Sequence, residues 1–227
     1  MKAADLAAAF ETLPVDWRAV LPGWTPEAVA GVVARVQAVS GEREIAPEDP
    51  FRALRLVPPA AVRVVIFGQD LYPLPGDADG LAFSARGLPQ SLRRVFQVLK
   101  ADRPDWVVPT SGKLDAWAAQ GVLLLNPILT VEVGPKKALT HEKCGWQLLT
   151  SSIIKALCDR DDPPVFLLWG GKAARFFDDA GALRVAPRVL RTRHPSYDHD
   201  RQFMAEGSHF VATADRVDWW SLGAAPG

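Results

Sequence analysis

Three short, wholly apolar runs and a fourth, weaker one constrain this chain more than anything else in it. They are residues 62–67 (apart from Arg63), 122–125, 165–169 and 189–192, and each is stopped at its carboxyl end by a glycine or a polar residue. Runs this short, rich in Val, Leu and Ile and without alternation, are strands buried on both faces. Between them lie helical stretches at 91–100, 114–119, 146–157 and from 172 onward. Strands that alternate with helices predict an α/β fold: a central four-stranded, mainly parallel, twisted sheet flanked by helices. In such sheets the functional groups stand beyond the carboxyl ends of the strands. That rule selects Gln69 and Asp70 after the first strand, Asn126 after the second, Gly170 after the third and His194 after the fourth.

The remainder reads as one domain, 1–227, with a family-like core over 47–215 and a helical extension over 1–46. In the extension, Thr25 is an N-cap, Pro26 takes the first helical position, and Val29, Val32, Val33, Val36 and Val39 recur at helical spacing before Gly41. Hydrophobic residues make up 48% and charged residues 23%, a globular composition rather than a disordered one. Lys+Arg and Asp+Glu are both 26, which argues against a tail-driven mode of nucleic-acid binding but leaves room for a locally basic groove. Cys144 and Cys158 are too few for a disulfide framework, a four-thiolate cluster or a Cys-only zinc site. No apolar run approaches the roughly 18 residues of a membrane span, and Met1 to Phe10 does not read as a secretory signal. The expectation is a reduced, cytoplasmic, monomeric protein.

No G-x-S-x-G elbow is present, and the Gly112-Lys113 and Gly171-Lys172 pairs lack the rest of a phosphate loop. What the strand ends do offer is a carboxylate (Asp70), an amide (Asn126) and a histidine (His194), beside Tyr72, Phe83 and Trp169. Such a set holds a planar heterocycle, reads its edge and stabilises charge as a bond breaks. An amide presents a donor and an acceptor side by side, which matches a ring edge with adjacent carbonyl and N–H, as in uracil.

At these residues the chain resembles the family 1 uracil-DNA glycosylases. Gly68-Gln69-Asp70-Leu71-Tyr72-Pro73 followed by Gly80-Leu81-Ala82-Phe83-Ser84 is similar to the family's GQDPYH and GLCFS segments at the same spacing. Residues 123–131, 140–146, 165–170 and His194-Pro195-Ser196-Tyr197 follow in the family's order. The resemblance implies that uracil is flipped from DNA and its N-glycosidic bond hydrolysed, with no metal or cofactor, to open base excision repair. It implies that Asp70 orients water and stabilises the sugar cation, and that His194 donates to the uracil carbonyl. Gln69, Tyr72, Phe83 and Asn126 would bind the base, Tyr72 excluding the thymine methyl. Ser84, Ser91, Gly170, Gly171, Lys172, Ser196 and Tyr197 would touch DNA, single- or double-stranded. Where the family carries a wedge leucine this chain has Asp198, so Tyr197 or another loop residue is expected to fill that role. The same departure predicts weak or no inhibition by the phage inhibitor protein that binds the family through this loop. Two alternatives stay open. A glycosylase for another deaminated base is opposed by Tyr72 and Asn126, and a non-catalytic DNA-binding relative is opposed by Asp70 and His194.

Overall fold

The computed structural model describes residues 1–68, 71–181, 183–198 and 200–223. The chain opens with helices α1 (Leu6–Glu11), α2 (Val15–Val20) and α3 (Pro26–Ser40), then a two-residue strand β1 (Ile45–Ala46) and α4 (Arg52–Leu56). The sheet begins with β2 (Val64–Phe67); α5 (Gln90–Asp102) and α6 (Asp115–Ala118) lead to β3 (Val122–Leu125) and the short β4 (Val131–Glu132). Helix α7 (Trp146–Cys158), β5 (Val165–Trp169), α8 (Gly171–Asp178), β6 (Val189–Thr192) and α9 (His209–Ala212) complete the order.

The main sheet runs β3-β2-β5-β6, every neighbour parallel. Chain order departs from spatial order at β2, which has β3 on one side and β5 on the other, and so makes a crevice at the strand ends. Register sets that crevice's rim. Phe67 lies level with Leu125 and Leu168, and Trp169 with Thr192, so Gly68, Asn126 and Gly170 leave the sheet within about one residue of each other. Strands β2, β3 and β5 are buried at every position, as unbroken apolar runs require.

The helices follow from their patterns. Thr25 caps α3 by accepting from the Ala28 N–H at 3.2 Å, and Gly41 ends it at φ +54°. Helix α5 follows Pro89 and buries Ser91, Leu92, Val95, Phe96 and Leu99, one face of a 3.6-residue period.

Residues 1–46 are woven into the core, which their reading as an extension did not convey. Strand β1 pairs antiparallel with β4, and the Met1 ammonium donates to the Ile45 carbonyl at 3.1 Å. Phe10 stacks on Trp146 with ring centroids 5.6 Å apart, and the Trp24 indole N–H donates to Leu149 O at 2.9 Å. Buried His141 sits between the Ser40 hydroxyl at 2.7 Å and the Thr130 hydroxyl at 2.9 Å, tying α3 to the segment after β3. This histidine is a core connector.

Candidate active site

The strand ends bring one amide, one histidine and one aromatic ring to a common rim. Asn126 follows β3 directly and is 4% exposed. Its Oδ1 is buried and has no hydrogen-bond partner among the described residues. Leaving an acceptor unmatched in the interior costs about 1–3 kcal/mol, so an unmatched one at a crevice suits a ligand's N–H. Gly68 makes room for it. A Cβ at that position would lie 2.1 Å from Asn126 Oδ1 and 2.9 Å from Ala82 Cβ.

Phe83 is reached through Ala82, whose N–H donates to Leu124 O at 3.0 Å and so hangs this segment on β3. Phe83 is buried and adopts φ +64°, a left-handed conformation that costs a non-glycine residue about 1–2 kcal/mol. The ring packs on Trp169 with centroids 5.2 Å apart and lies stacked on the His194 ring at 5.8 Å. Strain held at such a position is over-determined by its neighbours, and here the result is a flat aromatic surface against the histidine.

His194 precedes a 3₁₀ turn, Pro195–Tyr197, and its Nδ1 accepts the Ser196 N–H at 3.1 Å. Burial, helped by the Lys172 charge, pushes its pKa down to about 4, so the imidazole is neutral at pH 7. A neutral ring whose Nδ1 accepts carries its proton on Nε2, so Nε2–H is the ring's donor. Gly170, at φ +100°, lets the two strand ends meet, because a Cβ there would lie 2.8 Å from His194 Cβ.

Gln69 and Asp70 lie outside the described residues, as does the side chain of Tyr197. Tyr72 is half-buried, with its hydroxyl 3.3 Å from Ser91 Oγ. Gly171 is exposed at the start of α8, followed by exposed Lys172. Lys172 also lines a cleft of about 400 Å³ with Ile128 and Arg175, and Gly171 borders another of about 470 Å³ with Arg193. Ser196 is half-buried.

Ser84 and Ser91, expected to touch DNA, stand inside the fold. Both are buried. Ser84 gives its hydroxyl proton to Asp79 at 2.7 Å, and its oxygen receives the Leu114 N–H at 3.4 Å. Asp79, which sequence reasoning passed over, thereby organises the turn. It also accepts the Leu81 N–H at 3.1 Å and pairs with Lys113 at 2.7 Å. An Asp two residues before a bonded N–H is the Asx-turn signal that could have found it.

Asp198 is a second surprise. Its side chain is 2% exposed, paired with Arg94 of α5 (Nε to Oδ2, 2.5 Å), and accepts the Phe203 N–H at 2.6 Å. Burial pushes its carboxyl up, but Arg94 and the Phe203 N–H outweigh this and hold it below the usual carboxylate range. Position 198 therefore faces inward, and Arg94 is its partner. His209 is interior too. Its Nδ1 accepts the Trp169 indole N–H at 3.3 Å, and burial pushes its pKa down to about 4. No group of three or more His, Cys, Asp or Glu among the described residues is placed to hold a metal ion.

Comparison with known proteins agrees with this architecture. The family model of the uracil DNA glycosylase superfamily matches residues 54–216. A uracil-DNA glycosylase of Bordetella parapertussis is 44% identical over 203 residues, covering 85% of this chain and 77% of that protein. One from Idiomarina loihiensis is 40% identical over 186 residues, covering 80% and 84%. Among solved structures, a mimivirus uracil-DNA glycosylase superposes with TM-score 0.65 at 25% identity, over 77% of this chain and 64% of that one. The mimivirus enzyme is also known in complex with UGI, in a variant that superposes with TM-score 0.67 at 25% identity, over 80% and 69% of the two chains. A Nitratifractor salsuginis structure, 19% identical with TM-score 0.60 over 86% and 89%, shares the fold. With the parallel sheet, the rim of Gly68, Asn126, Gly170 and His194, and relatives of this identity and coverage, the chain belongs to the uracil-DNA glycosylase superfamily.

Proposed function

We infer that this chain is a uracil-DNA glycosylase: a hydrolase that removes uracil from DNA by cleaving its N-glycosyl bond, in DNA repair. The observation that carries the reading at the level of residues is the unmatched, buried Oδ1 of Asn126. Uracil offers an N–H beside two carbonyls, so its ring edge supplies the missing donor. Cytosine offers a ring nitrogen lone pair there instead, and two acceptors would face each other. Discrimination built on unpaired buried polar groups reaches about 10⁴–10⁵.

The remaining roles follow from the same chemistry. Base and sugar must leave the stack before the bond can be reached, at a cost of a few kcal/mol, and stacking on Phe83 returns about 1–3 kcal/mol. As the bond breaks, negative charge grows on the base and positive charge on the sugar. His194 Nε2–H is proposed to donate to the uracil carbonyl that gains charge. A neutral imidazole suits this, since it enters without stabilising the uncharged base through a full charge. Asp70, from its place in the Gly68 to Tyr72 motif, is proposed to orient the attacking water and stabilise the sugar cation, with the Gln69 backbone beside it. Tyr72 is proposed to fill the space that a thymine methyl would need. Gly170, Gly171, Lys172, Ser196 and Tyr197 are proposed to meet the DNA strand. The protein is proposed to act as a cytoplasmic monomer and to be inhibited weakly or not at all by the phage inhibitor protein. Among the described residues no helix is long and apolar enough to cross a membrane.

The test is alkaline cleavage of a labelled single-stranded oligonucleotide with one uracil, in chelator, beside thymine and cytosine controls. Cleavage at uracil alone is expected. A folded protein that binds the strand and leaves it whole would put the non-catalytic reading in its place.

A further inference from the structure

The loop after β6 holds a buried ion pair that the chemistry above does not use. His194 stands at the amino end of the Pro195–Tyr197 turn and Asp198 at its carboxyl end. Asp198 is fixed from two sides. Within the loop it accepts the Phe203 N–H at 2.6 Å, and the loop's return is fastened where Met204 N–H donates to Thr192 Oγ1 at 2.7 Å. Across to another element it meets Arg94, whose side chain is 20% exposed against 2% for the aspartate. Arg94 sits one turn along α5 from Ser91, the residue beside the Tyr72 hydroxyl. The pair therefore joins the wall that carries Tyr72 to the wall that carries His194.

We propose that Arg94 and Asp198 are a positioning pair for uracil excision: their ion pair sets where His194 stands over the pocket, though neither touches the base. The proposal rests on the glycosylase reading. Its physical basis is the steep dependence of rate on geometry, where a misplacement of about 1 Å costs about 10²-fold. With Arg94 gone, the loop's own bonds still hold Asp198 in its turn, but nothing in the pair holds that turn to α5.

The experiment is a double-mutant cycle on the single-uracil oligonucleotide, using the full chain. Arg94→Met keeps the apolar stem and removes the charge; it is measured alone and with His194→Ala, under single-turnover and steady-state conditions. In the native background Arg94→Met is expected to lower kcat about 10- to 100-fold with KM nearly unchanged. In the His194→Ala background the same change is expected to cost less than about twofold, since the group it positions is absent. Arg94→Lys, which restores the charge without the guanidinium fork, is expected to recover part of the rate. Asp198→Asn is the second variant should Arg94→Met not fold, with the same expected pattern. Equal losses in both backgrounds, or a loss confined to KM, overturn the proposal and leave the pair a plain structural tie. A native protein that cleaves nothing overturns the glycosylase reading itself, and the pair's role with it.

Discussion

Asn126 and Asp198 are both buried polar side chains just past a strand of the same sheet, and they are treated in opposite ways. Asn126, at the crevice rim, keeps one oxygen unmatched among the described residues. Asp198, in the loop over the pocket, is saturated by Arg94 and backbone N–H groups. The strand end holds its polar capacity in reserve for something that arrives, whereas the loop satisfies its own. A buried group that is under-satisfied costs stability and signals binding; one that is fully satisfied contributes stability and signals architecture.

The sharpest way to break this contrast is to remove each group. Asn126→Ala should lower kcat/KM for uracil excision about 10²-fold or more, while the melting temperature holds or rises because an unmatched acceptor is gone. Asp198→Asn should lower the melting temperature by several degrees, from a loss of about 1–3 kcal/mol. Oligonucleotide kinetics and thermal melts on the two proteins check both. Equal destabilisation by the two changes would show that Asn126 is as structural as Asp198.

A smaller effect is expected from Gly68→Ala. The added methyl meets Asn126 Oδ1 and must displace the amide, so activity should fall about 10-fold with a lesser change in melting temperature. Combined with Asn126→Ala, most of the added loss should vanish, and what remains reports the 2.9 Å approach to Ala82 Cβ.

The smallest effect separates the two regions by pH. His194 at the site and His209 in the interior are both pushed down to about 4 by burial. Between pH 6.5 and 4 the unfolded chain binds protons that these imidazoles refuse in the native state, so stability falls as pH is lowered through that window. Asp198 lies below the usual carboxylate range, so its contribution is present above the unfolded value of 3.8 and is lost only at lower pH. Melts from pH 7 to 4 should therefore decline. His209→Gln should flatten the decline and Asp198→Asn should leave its slope unchanged.

The sheet was legible in the sequence because a strand buried on both faces must be apolar throughout, and Gly68, Asn126, Gly170 and His194 interrupt such runs abruptly. The two-residue strands β1 and β4 were not, since two residues carry no period. The setting of Ser84 was not legible for a different reason. Its motif locates it in the chain, but whether a hydroxyl faces solvent depends on Asp79 and on Leu114, which is thirty positions away. Arg94 and Asp198 are separated by 104 positions. Each alone reads as a surface charge, and only the approach of α5 to the loop makes them a buried pair. The same holds for the seam between residues 1–46 and α7, where each side reads as an ordinary amphipathic helix.

That seam has a consequence for how the protein is made. Phe10 closes on Trp146, and β1 on β4, so part of the first segment's native cover is missing until the chain has grown well past its middle. At about 5–20 residues per second, the ribosome leaves Phe10 and Trp24 waiting for Trp146 and Leu149 for on the order of ten seconds. During that interval the uncovered part of this apolar segment is a surface that a chaperone could hold.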